Sequence, residues 1–583
     1  MKIIKFKHLL IGALLAVLIT SFTFAAQQDN EISNDSAQKK IVQALSKELK
    51  RSQKELHMEG FESPYFISYQ LQEAETVGLF GTYGGIQMRL GPPKRRTAFV
   101  EIRVGDYKFD NTNREQRRGS RSPFFRRQAL APLDNDENSL RAVFWKLTDV
   151  SYKRAISDYQ SKKGEMAFAS DKENADDFAP DIKKTNFGPI KKLKLNENLW
   201  ADRIREVTRS LAQVKGIFDP TMRVVGTKIS TYYVNTEGST ITTDEVYYEV
   251  NVNCKTRADD GMLLQNFRTF ATRIPEELPN DETLNDEVKR MAEELMQLRE
   301  AEVLQPYNGP AILAPDVAGV LFHEAIGHRL EGERQRAKQE QQTFKGKVGQ
   351  QVIPEFLTVI DDPTLNYFQG KTLNGTYQYD DEGVTPERVV LIEDGVLRTF
   401  LLSRTPIEGF PQSNGHARKS PGHGLDPMAR MSNLIIESKK IFSPEELKQM
   451  LIEEVKQQGK PYGLILKHNQ SGITGPLQTG RPGAFRVTPI LVYTVNVDNG
   501  QETLVRGVDL VGTPLISINK IMATGNNYTV FQGVCRAKSG IINVSTIAPT
   551  MLLQEIELQK AAGVPEQPTI LPSPFWPDSE IED

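Results

Sequence analysis

Two alternating runs, residues 222–235 and 244–256, do most to limit the folds open to this chain. Apolar or β-branched residues at every second position suit a pleated strand with one covered face. The Glu237-Gly238-Ser239 turn between them predicts a long antiparallel pair. Upstream, Ile41, Val42, Leu45 and Leu49 fall at helical spacing within 37–56, and further helices are expected over 139–162, 195–214 and 281–302. Strands are expected over 66–71, 97–104 and 107–109, so this half of the chain reads as a mixed α+β domain.

A chain of 583 residues exceeds what one hydrophobic core usually serves. The Pro306-Tyr307-Asn308-Gly309-Pro310 punctuation marks the expected division. Beyond it come one apolar helix at 316–329, with Asp316 as its N-cap, then short strands between Gly turns and a helix at 444–458. The expected organisation is therefore α+β throughout: an N-terminal mixed domain over 27–305, then a β-rich C-terminal domain over 306–563 with one embedded helix. Residues 564–583, rich in Pro and acids, read as an extended tail.

Residues 1–26 differ in kind. Lys2, Lys5 and Lys7 precede an apolar run over 9–19 and a Thr23-Phe24-Ala25-Ala26 exit, the pattern of a cleavable signal peptide. The apolar run is shorter than the roughly 20 residues a spanning helix needs. The expectation is an exported, periplasmic protein with no membrane segment after cleavage. Only two cysteines, Cys254 and Cys535, accompany this expectation, which leaves either one bridge or two thiols.

Lys and Arg total 72 against 75 acidic residues, a net charge of -3, so no broad field would draw nucleic acid. One local basic cluster, Arg114, Arg117, Arg118, Arg121, Arg126 and Arg127 around Phe124 and Phe125, reads as an exposed loop facing a partner subunit or acidic surface.

The chemistry concentrates at His323-Glu324-Ala325-Ile326-Gly327-His328. An apolar stripe of Val317, Val320, Leu321 and Ala325 would carry His323 and Glu324 into a buried setting. The short zinc-protease motif spaces two His by four so that both face one side of a helix, with the adjacent Glu as general base. Here the spacing is five, which turns the side chains about 140° apart on a straight helix. Either the helix ends or bulges at Gly327, or the two His serve different purposes.

Residues 321–332, Leu-Phe-His-Glu-Ala-Ile-Gly-His-Arg-Leu-Glu-Gly, resemble the signature of the TldD/PmbA family of metallopeptidases. The likeness continues in order through 375–384, 391–397, 413–418, 427–433 and Gly533-Val534-Cys535. The signature-bearing TldD type is the one resembled, and an export signal would depart from the cytoplasmic members. The resemblance implies a metal, generally zinc, held by His323, His328 and Cys535, with Glu324 as acid/base. Two imidazoles and a thiolate leave an open position, as in a catalytic zinc site. The implied reaction is peptide-bond hydrolysis of extended or unfolded polypeptides, by a homodimer or a heterodimer with a TldE/PmbA-like paralogue. A non-catalytic assembly subunit is the alternative.

Other residues are weighed beside these. Arg536 and Lys538 would favour a Cys535 thiolate, whereas a disulfide to Cys254 is the competing fate. Cys254 on its strand reads as a half-buried thiol. Asp380, Asp381 and Glu382 before Gly383 read as a solvated turn or as orienters of the His ligands. His416 and His423 read as loop residues near the cleft.

Overall fold

The computed structural model describes residues 36–91, 94–113, 128–166, 175–336, 342–474, 485–561 and 573–576. The expected signal peptide, the Arg-rich 114–127 segment and most of the expected tail lie outside these residues.

The first half builds an eight-stranded sheet. Its centre is the expected antiparallel pair, Phe218–Asn235 with Thr240–Arg257, closed at Val234↔Thr240, beside a third long strand, Pro64–Thr82. Strict alternation gives this sheet two unlike faces. Helices α1 (36–55) and α2 (Glu137–Met166) cover one end of one face, through Ile41, Leu45, Tyr69, Val100 and Phe144. Helices α3 (Glu197–Gln213) and α4 (Asp281–Glu300) cover the other end, through Ile204, Val224, Val252 and Leu295. Residues 107–109 are not a strand: they form the bend of a tight loop closed by the Gly105↔Asp110 bridge and capped by Asp106.

The second half forms a thirteen-stranded mixed sheet spanning Glu302–Val303 to Gly540–Lys560. The last strand is its spine, pairing with Tyr307–Leu313, Asn433–Ser438 and Ile521–Ala537. Helix α5 (Pro315–Ala325) lies against it, and Gly319 permits the close approach, since a Cβ there would meet Thr546 Cγ2 at 3.3 Å. Helix α6 (Pro444–Gln457) carries a full capping box at Ser443 and Glu446.

Three details of the expected 316–329 helix are corrected. Pro315 occupies the first helical turn, which its fixed φ favours, so the cap is Ala314 and Asp316 sits inside that turn. The α-helix stops at Ala325, and 3₁₀ turns follow over Gly327–Leu330 and Gly332–Gln335. Of the tail only residues 573–576 are described: Phe575 stacks on Tyr83 at 5.9 Å, and the Trp576 indole N–H donates to Ala212 O at 3.2 Å. No helix among the described residues is long and apolar enough to cross a membrane.

Candidate metal centre and its neighbouring cleft

All residues from Val317 to Ala325 are buried, so α5 delivers His323 and Glu324 into the C-terminal core rather than to a surface. The α-helix then ends, and the 3₁₀ turn brings His328 back towards His323. The two rings lie 5.0 Å apart between centroids and 84° between planes. Gly327 makes this possible by its missing side chain, not by a left-handed backbone: a Cβ would stand 1.9 Å from Met431 Sδ, while its φ is not positive.

Cys535 arrives from the strand Ile521–Ala537. Its Sγ lies 3.1 Å from His323 Nε2 and 3.4 Å from His328 Nε2. The three donor atoms fall within 4.8 Å of one another, and all three residues are buried. Zinc bonds of ordinary length in tetrahedral geometry separate N and S donors by about 3.6 Å, so the spacing and the donor set both suit such an ion.

The thiol is tuned by residues that lie elsewhere than expected. Arg536 and Lys538 point outward from the strand, whereas the buried Arg430 guanidinium donates from Nη2 to Cys535 Sγ at 3.0 Å. Burial opposes ionisation of Cys535, but attraction to His328 and then His323 outweighs it and holds the thiol well below its ordinary range. Burial likewise opposes charge on His328, yet Cys535 and Glu331 raise its pKa to about 10. These shifts favour a thiolate paired with a protonated His328, and a metal held at Nε2 would require that proton to leave.

Glu331 is the orienting partner that spacing did not single out. Its Oε1 pairs with His328 Nδ1 at 2.7 Å, and Arg334 holds its other oxygen at 2.6 Å. Burial would raise the Glu331 pKa, but Arg334 and His328, with Arg430, bring it down to about 2. A carboxylate on the far nitrogen of a metal-binding His fixes tautomer and ring angle. Arg329 closes the helix by donating to Glu324 O at 2.7 Å and Ala325 O at 3.1 Å. Glu324 itself is 8% exposed, one residue from His323.

Several other candidates stand apart from this cluster. Cys254 is fully buried in the N-terminal core and Cys535 in the C-terminal one, so both are free thiols and no bridge joins them. His416 lies in a loop, as expected, but is completely buried there, bound to Asp361 at 3.2 Å and Asn414 at 2.9 Å. His423 is exposed, with Nδ1 2.8 Å from Pro421 O. Asp380 and Glu382 are buried, not solvated, and orient no metal-site His. Asp380 accepts from the backbone of Glu382, Val384 and Ala417, while Glu382 accepts from Arg404 N.

A cleft of about 460 Å³ separates the two halves. Its floor is the uncovered face of the N-terminal sheet, including Val225, Thr227, Ile229 and Thr243, and its far wall includes Tyr377, Asp381, Arg418 and Lys419. The hairpin that carries Cys535 contributes Ile541, Ile542 and Asn543 to this wall, with Ile542 directly opposite Cys535 in register.

Comparison with known proteins agrees with this geometry. Residues 306–560 match the family described as the PmbA/TldA metallopeptidase C-terminal domain. A metalloprotease from Methanothermobacter thermautotrophicus is 27% identical over 407 residues, 68% of this chain and 83% of that protein. A zinc metalloprotease TldD homolog from Saccharolobus solfataricus is 27% identical over 255 residues, 43% of this chain and 51% of that protein. The crystal structure of TldE from Thermococcus kodakarensis shares the fold, with a TM-score of 0.55 at 16% identity, covering 88% of this chain and 100% of that one. Over residues 306–560, which carry the His, His, Cys cluster, the chain belongs to the family of the PmbA/TldA metallopeptidase C-terminal domain.

Proposed function

We propose that this protein is a zinc-dependent peptidase that hydrolyses peptide bonds in extended polypeptides, with His323, His328 and Cys535 as metal ligands and Glu324 as general acid/base. The convergence of three buried donor atoms within 4.8 Å carries the reading. Bound zinc would supply a Lewis acid for the scissile carbonyl and a more acidic water. Glu324, next to a ligand on the final turn of α5, takes the water proton and returns it to the leaving amine. Glu331 keeps the His328 ring fixed throughout.

The sheet supports an extended substrate. From Tyr528 to Ala537 the Cys535 strand pairs, among the described residues, only with Gly540–Lys560, which leaves its outer edge open. An extended chain can bond to such an edge through its backbone, which favours low sequence selectivity. A folded domain could not enter a cleft of about 460 Å³. Similarity to TldE supports assembly with a second subunit of the same fold, either a copy of this chain or a paralogue.

The test is cleavage of an unstructured protein with and without chelator, beside Glu324→Gln. Cleavage should stop in both cases. Full activity in the variant would remove Glu324 from the mechanism, and inactivity of the wild type with metal bound would favour a non-catalytic assembly subunit.

A further inference from the structure

The two halves of the metal cluster come from chain segments some two hundred residues apart, and one buried side chain touches both. Arg430 is completely buried. Its Nη2 donates to Cys535 Sγ at 3.0 Å, and its Nε lies 3.4 Å from Glu331 Oε1, the same oxygen that pairs with His328 Nδ1. Its Nη1 donates to Ser539 Oγ at 2.7 Å and Gly540 O at 3.3 Å, at the tip of the Cys535 hairpin.

The backbone around Arg430 is equally fixed. Arg430 N donates to His416 O at 3.0 Å, and Ser432 N donates to Asp361, which also binds His416. Buried polar groups with this many partners hold one geometry.

We infer that Arg430 is a positioning residue that bridges the thiolate ligand and the carboxylate behind the imidazole ligand, so that both metal-binding arms are set by a single guanidinium. The inference rests on the metal-centre reading above. A planar guanidinium suits this role because its donors leave in fixed, divergent directions, which an ammonium cannot reproduce. Hydrogen bonding from a cation withdraws electron density from sulfur. Arg430 therefore weakens electron donation by the Cys535 sulfur and holds it in place, which would leave a bound metal more electrophilic.

Cobalt(II) reports on the sulfur directly, since its sulfur-to-metal charge-transfer band moves with the energy of the sulfur lone pairs. Full-length protein would be loaded with cobalt as the wild type, Arg430→Met, Arg430→Lys and Ser539→Ala. The band should move to longer wavelength in Arg430→Met, with metal affinity by chelator competition reduced about 10- to 100-fold. Arg430→Lys should restore the charge but recover only part of both effects. Ser539→Ala, which loosens the guanidinium without removing it, should move the band in the same direction by less. Should Arg430→Met fail to fold, the two milder variants decide the matter. An unshifted band with unchanged affinity in the variants would overturn the inference. A wild type with no thiolate band at all would instead overturn the metal-centre reading.

Discussion

The Cys535 thiol is held low by His328 and His323 and takes a hydrogen bond from Arg430, all distant in the chain, while its sequence neighbours Arg536 and Lys538 face outward. Local sequence supplies ligand types here, and folding supplies their partners. The notable groups of the site are therefore unequally legible: His323, Glu324 and His328 stand out as a motif, Glu331 pairs locally with His328 three residues away, and Arg430 becomes a partner only once the chain closes on itself. Glu324→Gln should lower kcat by about 10²- to 10⁴-fold, as loss of a general base does, while zinc content stays at the wild-type level. Rate measurements on metal-quantified protein check this, and a loss of metal in the variant would make Glu324 a structural group instead. Asp380 gives a second prediction. Burial pushes its pKa from 3.8 up to about 7 against three backbone N–H donors. The folded state then keeps a proton that the unfolded chain has released, so this contribution favours folding at low pH and is lost as pH rises through about 7. Unfolding free energy should fall more steeply over roughly pH 4 to 7 in the wild type than in Asp380→Asn, and parallel curves would contradict the assignment.

At the level of elements, periodicity served well where a strand or helix has one covered face. The pair Phe218–Asn235 and Thr240–Arg257, helix α3 and helix α4 were readable for that reason. It served less well in the thirteen-stranded sheet, where the order brings Tyr307–Leu313 between Tyr462–Thr474 and Gly540–Lys560. Such pairings leave no local pattern. The break after α5 lies between these cases: a five-residue His spacing demanded it, but the need for a residue without a Cβ at 327, against the sulfur of Met431, is set by a tertiary contact. Gly327→Ala should cost about 1–3 kcal/mol through overpacking and displace His328. Removing the obstacle with Met431→Ala should recover part of the local geometry. Denaturation curves and zinc content of the single and double variants test this, and additive losses would show that the two residues do not meet.

Across the whole molecule, Arg404 ties the two halves together. Only 1% exposed, it donates to Ala179 O at 2.9 Å and Glu237 at 2.6 Å and stacks over Phe178 at 3.9 Å, while its own N–H donates to Glu382 at 2.7 Å. Removing one partner of a buried ion pair leaves the other uncompensated, so Arg404→Met should destabilise the protein by about 3–5 kcal/mol in chemical denaturation. A change below the experimental error would show that the clamp does not hold the halves. The cleft beside it needs both halves for its walls, which is why its lining could not be read along the sequence. The central claim concerns the metal, and elemental analysis of the purified chain tests it most directly. The wild type should carry about one zinc per chain and Cys535→Ala should carry almost none; zinc absent from the wild type, or retained in Cys535→Ala, would contradict the site.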